Sequence, residues 1–122
     1  MDALILRAVG YRRVSTREQL DEFSLDAQAN SIRRYTSDRG WKLVNIYTDA
    51  GISAKKDSRR PQLARLMEAA KEGRFVIVVV DKIDRFYRDL NGLLNALDQL
   101  NELKVTFVSV QEWIDFITPW GS

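Results

Sequence analysis

The sequence contains no histidine and no cysteine. Without histidine, a Ser-His-Asp triad, a phosphohistidine and a histidine-ligated zinc site are excluded, and without cysteine so are disulfides and thiolate metal sites. The absence of cysteine also fits a cytoplasmic protein. Chemistry at neutral pH would therefore depend on Arg, Asp, Glu, Ser, Thr, Tyr or Lys. Phosphoryl transfer suits that set, because it depends mainly on positioning and on neutralising charge.

Several longer patterns are also missing. No apolar run approaches the length of a membrane span, so we expect no membrane partner, and the N-terminus lacks the cleavage site of a signal peptide. Neither G-x-x-x-x-G-K-[ST] nor G-x-G-x-x-G occurs, so nucleotide-binding loops of those kinds are not indicated. We find no internal repeat or linker, and 122 residues that are 45% hydrophobic suit one globular domain.

Charge is unevenly spread, although the net charge is only +2. Residues 1–60 carry 12 Lys and Arg against 8 Asp and Glu, whereas residues 61–122 carry 7 against 9. A polyanionic partner would therefore meet mainly the first half of the chain.

Apolar runs alternate with helical patterns along the chain. Strands are predicted over residues 4–13, 41–47, 75–80 and 105–110. Helices are predicted between and after them: one N-capped by Ser24, one beginning at Pro61, and one with a leucine stripe from Leu90 to Leu100. This alternation predicts an α/β fold in which a mostly parallel sheet of four to five strands is flanked by helices.

The first predicted strand leads into a hydroxyl and a guanidinium. Side chains alternate along a strand, so Tyr11, Arg13 and Ser15 would face the same way. They would lie at the carboxyl edge of the sheet, where open α/β sheets bind ligands. Our hypothesis is that Ser15 is a nucleophile and Arg13 holds the phosphate that it attacks. The plainer interpretation is that Ser15 and Glu18 form a capping box that begins a helix.

A second basic segment follows the third predicted strand. Arg85 and Arg88 are three residues apart, which predicts that they share one face of a helix, and Asp84 is placed to cap that helix. An arginine pair near a helix N-terminus would make an anion site. The alternative is that Asp84 only caps and that both arginines are solvated.

Five short motifs, in order along the chain, resemble those of the serine recombinases, the family of resolvases, invertases and phage-type serine integrases. Phe86 stands where that family usually has leucine. The motifs are Tyr11 to Thr16 with Gln19, Ser24 to Gln28, Asp49 to Ala54, Arg60 to Leu63, and Asp84 to Arg88.

The resemblance implies a resolvase-like catalytic core that recombines or integrates double-stranded DNA at specific sites, as the enzymes of mobile elements do. Ser15 would attack a phosphodiester and form a 5′-phosphoseryl linkage, leaving a 3′-hydroxyl. The linkage stores the bond energy, so the resemblance implies no metal, ATP or other cofactor. Arg13, Arg60, Arg85 and Arg88 would surround the phosphate, and Asp84 would orient them or act as general acid. Supporting positions would be Tyr11, Gln19, Gln28, Asp49 and Ser53, although Asp49 suits a turn equally well.

Residues 1–122 are then expected to be a catalytic core fragment without the family's long dimerisation helix and DNA-binding domains. The full-length protein would act as a homodimer or tetramer. Two other functions stay open. One is a magnesium-dependent nuclease or phosphoryl-transfer domain in which Asp49, Asp81 and Asp84 hold the ion. The other is a non-catalytic, receiver-like interaction module.

Overall fold

A computed structural model of the chain describes residues 5–14, 22–50, 60–112 and 114–116. The elements in this part are β1 (Arg7–Val14), α1 (Glu22–Asp38), β2 (Lys42–Ala50), α2 (Pro61–Lys71), β3 (Ile77–Val80), α3 (Ile83–Phe86), α4 (Leu90–Glu102), β4 (Thr106–Ser109) and β5 (Ile114–Phe116). No helix among them is both long and apolar enough to cross a bilayer.

The strands form one sheet in the order β2-β1-β3-β4-β5. The first four run parallel, and only β5 pairs antiparallel, against β4. β1 lies between β2 and β3: the chain passes from β1 to β2 on one side and then returns to β3 on the other side, so the direction of strand addition changes at β1. The carboxyl ends of β1 and β3 meet at this change of direction, which is where ligands bind in sheets of this kind.

Helices cover both faces of the sheet, as the alternation of apolar side chains requires. One face carries Val9, Val78, Val80 and Phe107 and packs against α2 and α4 through Leu66 and Leu100, among other residues. The other carries Ala8, Ile77, Val79 and Val108 and packs against Ile32 of α1. The predicted α/β fold, with a mostly parallel sheet flanked by helices, is therefore confirmed.

Gly10 explains how closely α1 approaches the sheet. A Cβ atom at this position would come within 2.8 Å of Ile32 Cγ2. A side chain at position 10 would therefore push the helix away from β1.

Several predicted boundaries are wrong. The first helix begins at Glu22, so Ser24 lies inside it and is not its N-cap. β2 continues through Ala50, beyond the predicted end at residue 47. Leu90 and Leu94, assigned to the buried stripe of the last helix, are 66% and 50% exposed, and Ala96 is buried instead. β5 was not predicted, because three residues give no measurable periodicity.

Candidate active site

Tyr11 lies in a polar cluster near the carboxyl ends of β1 and β3. Its side chain is fully buried, and its hydroxyl donates to Asp49 Oδ2 at 2.8 Å. The same hydroxyl oxygen accepts from Arg60 Nε at 3.2 Å. One phenol therefore joins the end of β2 to the residue that precedes α2.

Arg60 is held along one edge of its guanidinium. Besides the bond from Nε to Tyr11, Nη2 donates to the main-chain oxygens of Arg85, at 3.3 Å, and of Phe86. Nη1 is buried and has no hydrogen-bond partner among the described residues. The residue is only 9% exposed, and no carboxylate in the described part of the chain forms an ion pair with it.

Arg13 reaches the same turn from β1. It is fully buried; Nε donates to the main-chain oxygen of Arg85 at 3.2 Å and Nη2 to that of Asp84 at 2.8 Å. The hydrogen bonding is reciprocal: Arg85 Nη1 donates to the main-chain oxygen of Arg13 at 3.4 Å. Two buried guanidiniums, those of Arg13 and Arg60, therefore converge on α3.

Gln28 fixes the backbone of Arg13. Its side-chain oxygen accepts from the Arg13 main-chain N–H at 3.2 Å, and its Nε2 donates to the Arg13 main-chain oxygen at 3.1 Å. The buried amide thus satisfies both polar groups of that peptide segment, as a neighbouring strand would.

Asp49 connects the cluster to α2. Its Oδ1 accepts from the main-chain N–H of Gln62 and its Oδ2 from that of Leu63, both at 3.1 Å. Pro61 occupies the first turn, where a missing N–H costs nothing. A carboxylate from the end of β2 therefore caps this helix, a task that the Arg60 side chain does not perform.

Electrostatics at the site are dominated by positive charge. Burial lowers the pKa of Arg13 below its ordinary value, and the charge of Arg60 lowers it further, with smaller effects from Arg88 and Arg85. Burial raises the pKa of the Tyr11 phenol above its ordinary value, although Arg60 opposes that shift. The phenol therefore stays neutral at physiological pH, and the other three arginines lie close enough for their charges to act on Arg13.

Comparison with known proteins identifies the family of this chain. The family model described as "Resolvase, N terminal domain" matches residues 8–122. The chain belongs to the resolvase N-terminal domain family. The expected resemblance to serine recombinases is thereby confirmed.

Curated relatives of this resolvase-family chain include a resolvase and a probable DNA-invertase. The Transposon Tn917 resolvase of Enterococcus faecalis is 32% identical over 112 residues, which are 92% of this chain and 53% of the relative. A probable DNA-invertase, y4cG of Sinorhizobium fredii, is 34% identical over 115 residues, which are 94% of this chain and 33% of the relative. The chain thus spans about half or less of the length of these relatives.

Two solved structures share the fold. The N-terminal catalytic domain of TP901-1 integrase superposes with a TM-score of 0.81 at 35% identity, over 89% of this chain and 81% of that one. A resolvase family site-specific recombinase from Streptococcus pneumoniae gives a TM-score of 0.80 at 32% identity, over 90% and 75% of the two chains.

The resolvase-family domain brings most of the predicted site residues together. Six of them form the cluster or contact it: Tyr11, Arg13, Gln28, Asp49, Arg60 and Arg85. The exposed Arg88 is close enough for its charge to lower the pKa of Arg13. Ser15, Gln19 and Ser53 lie outside the described residues.

The segment from Asp84 to Arg88 differs from its prediction. α3 ends at Phe86, and Tyr87 is extended, with φ −146° and ψ 139°. Arg85 and Arg88 therefore do not share a helical face. Asp89, not Asp84, caps the long helix that follows, by accepting from Gly92 N at 2.8 Å. Asp84 is exposed, and it is its main-chain oxygen that contacts Arg13.

Residues near β4 support this turn and were missed by sequence reasoning. Glu112 accepts hydrogen bonds from Ile83 N and from Ser109 Oγ. Gln111 bonds Asp81 through both its backbone and its side chain. No motif marks these residues, because their role depends on the pairing of β3 with β4.

The three carboxylates of the magnesium hypothesis do not gather. Asp49 is occupied by three protein donors, and Asp81 accepts from Gln111. No group of three or more His, Cys, Asp or Glu that suits a metal occurs among the described residues.

Proposed function

We propose that this domain is the catalytic core of a site-specific DNA recombinase, with Ser15 as the nucleophile. Its hydroxyl oxygen forms a bond to the phosphorus of a DNA phosphodiester as the bond from phosphorus to the 3′-oxygen breaks. The proton that the serine hydroxyl loses is balanced by one that the 3′-oxygen gains, so the 3′-oxygen departs as a hydroxyl. The 5′-phosphoseryl linkage keeps the energy of the broken bond, so rejoining needs no ATP.

The state of Arg60 is the observation that carries this proposal. A buried cation is costly unless a counter-charge compensates it. Arg60 is nine-tenths buried, forms no ion pair within the described part of the chain, and keeps one buried nitrogen, Nη1, without a hydrogen-bond partner. A phosphodiester oxygen would supply both the missing charge and the missing acceptor.

The neighbouring arginines support the same function. Transition states of phosphoryl transfer spread negative charge over several oxygens, and permanently charged, fixed guanidiniums stabilise that charge without a metal. Arg13 and Arg85 are fixed by hydrogen bonds to each other's backbone, and Arg88 adds a further charge nearby. Asp84, which is exposed beside them, is the candidate to orient an arginine or to protonate the 3′-oxygen.

The substrate and the oligomeric state are proposed for the full-length protein. We propose that double-stranded DNA is the substrate, that the full-length protein acts as a dimer or tetramer, and that further segments supply most of the DNA affinity. The names of the relatives, a transposon resolvase and a probable DNA-invertase, support this assignment.

The proposal is tested by trapping the covalent intermediate. Full-length protein is incubated with a nicked duplex that spans the junction between the host chromosome and the genetic element carrying the gene. The nick lets the cleaved fragment diffuse away, so the adduct accumulates and survives SDS. We expect the adduct in wild type with or without EDTA, none in Ser15→Ala, and about a hundredfold slower formation in Arg60→Lys.

Two results would contradict the proposal. Cleavage that EDTA abolishes would point to the magnesium-dependent alternative. Folded protein that binds the duplex but forms no adduct would point to the non-catalytic alternative. Arg60→Lys keeps the positive charge, so a normal rate in that variant would show that the fork of the guanidinium is not needed.

A further inference from the structure

Tyr87 packs its ring against the guanidinium of Arg60. The guanidinium carbon lies 4.6 Å from the centre of the Tyr87 ring and 5.4 Å from that of Tyr11. Tyr87 is partly buried and packs against the core cluster beneath α2 and α4. Its extended backbone separates α3 from the residues that lead into α4.

The position of this ring is fixed by its surroundings. The Phe86 ring meets it edge-on, with ring centres 5.1 Å apart. On another side lies Gly92, where an added Cβ would come within 2.7 Å of Tyr87 Cδ1 and 2.9 Å of the Asp89 carboxylate oxygens. Glycine at position 92 therefore leaves the space that the Tyr87 ring uses.

A ring stabilises a buried guanidinium differently from a carboxylate. A carboxylate would neutralise the charge and occupy two N–H groups. An aromatic face attracts the cation through its quadrupole and leaves the N–H groups free. Among the described residues, no carboxylate pairs with Arg60 and nothing accepts a hydrogen bond from its Nη1, while the ring holds its orientation.

We propose that Tyr87 is a positioning residue for Arg60, and that Gly92 makes this position possible. Tyr87 stabilises the buried cation with its ring, in place of an ion pair, so that the guanidinium stays available to an incoming phosphate. The catalytic part of this inference rests on the function proposed above for Arg60. The contact between ring and guanidinium does not.

The first test compares Tyr87→Leu with Tyr87→Phe in the full-length protein. Both remove the hydroxyl, and only Tyr87→Leu removes the aromatic face. At saturating nicked duplex, we expect phosphoseryl formation to slow about tenfold in Tyr87→Leu and to stay within about twofold of wild type in Tyr87→Phe. The affinity of the full-length protein for the duplex should be the same in all three proteins, because segments outside this domain are proposed to supply most of it.

The second test does not depend on recombination. In the 122-residue chain, the Arg60 Nε–H resonance is followed by NMR while inorganic sulfate is added as the anion probe. Because the Tyr11 ring also faces Arg60, we expect a ring-current shift that is equal in wild type and Tyr87→Phe and smaller in Tyr87→Leu. Sulfate binding should be about tenfold weaker in Tyr87→Leu. Gly92→Ala, which keeps the tyrosine but crowds its ring, should change the Arg60 resonance in the same direction.

The outcomes separate the two proposals. If wild type forms no adduct but the Arg60 resonance and sulfate binding depend on the ring, the recombinase assignment fails and the positioning role stands. If Tyr87→Leu reacts as fast as wild type, or if Tyr87→Phe is as slow as Tyr87→Leu, the positioning role is overturned. Should Tyr87→Leu not fold, Gly92→Ala decides, and an unchanged Arg60 resonance there overturns the proposal.

Discussion

Tyr11 connects a carboxylate and a guanidinium of the site through one hydroxyl. Its hydroxyl donates to Asp49 and accepts from Arg60, and both bonds are buried. An ionised phenolate could not donate to a carboxylate, so the arrangement requires the neutral form. Burial enforces that form by raising the pKa of the phenol.

This shift makes Tyr11 a source of pH dependence. Because the folded-state pKa is raised, the stabilisation is fully present below the unfolded value of about 10 and is lost as the pH rises beyond it. We expect the free energy of unfolding of wild type to fall more steeply above about pH 10 than that of Tyr11→Phe. Urea titrations at several alkaline pH values measure the difference. Equal slopes, or a tyrosinate signal in folded wild type near pH 10 that Tyr11→Phe lacks, would contradict the assignment.

The residues of the site lie at or near the ends of strands and helices. β1 delivers Tyr11 and Arg13, β2 delivers Asp49, and the start of α2 delivers Arg60. α3 offers main-chain oxygens to both buried arginines. The main-chain oxygens of the turn between β3 and α4 therefore fix the positions of the guanidiniums. A purely helical segment could not do this, because its carbonyls would accept hydrogen bonds within the helix.

The Asp49 cap of α2 can be tested by its contribution to stability. Asp49→Ala removes the acceptor of two backbone N–H groups and of the Tyr11 hydroxyl, and we expect it to destabilise the chain by about 2 kcal/mol. Asp49→Asn keeps one acceptor oxygen of similar shape and should lose about half as much. Urea unfolding at neutral pH measures both variants. A loss below about 0.5 kcal/mol in Asp49→Ala would show that the cap is dispensable.

The helices and strands also show where sequence patterns stop being informative. The central strand and α2 are predicted well, because a continuous apolar run and a proline at the helix start each leave few alternatives. The end of α3 before Tyr87 was not predicted, because the residues from Asp84 to Arg88 are compatible with helical spacing. Tertiary contacts of the Phe86 and Tyr87 rings favour the extended backbone instead. Phe86, the departure from the family motif, stacks on Phe107 with ring centres 4.8 Å apart. Phe107 is more than a dozen residues away in the sequence, so no local pattern indicates this contact.

In the whole molecule, the sheet order brings distant segments of the sequence to one edge. The order of motifs along the chain was enough to predict that edge and the arginines on it. It was not enough to predict that Arg60 would be nine-tenths buried without an ion pair in the described part of the chain, because burial depends on how α3 and Tyr87 fold over it. The proposed anion site is thus a property of the assembled fold and not of any single motif.

Ser15 is proposed to form the bond to DNA, and the position of the nucleotide on the protein tests this assignment. Trypsin should release the trapped site as Val14-Ser15-Thr16-Arg17, since cleavage follows Arg13 and Arg17. Tandem mass spectrometry of the nuclease-trimmed adduct then locates the modified hydroxyl. We predict a nucleotide 5′-phosphate on Ser15; a nucleotide on Thr16 or on another side chain, or the same adduct from Ser15→Ala, would contradict the account.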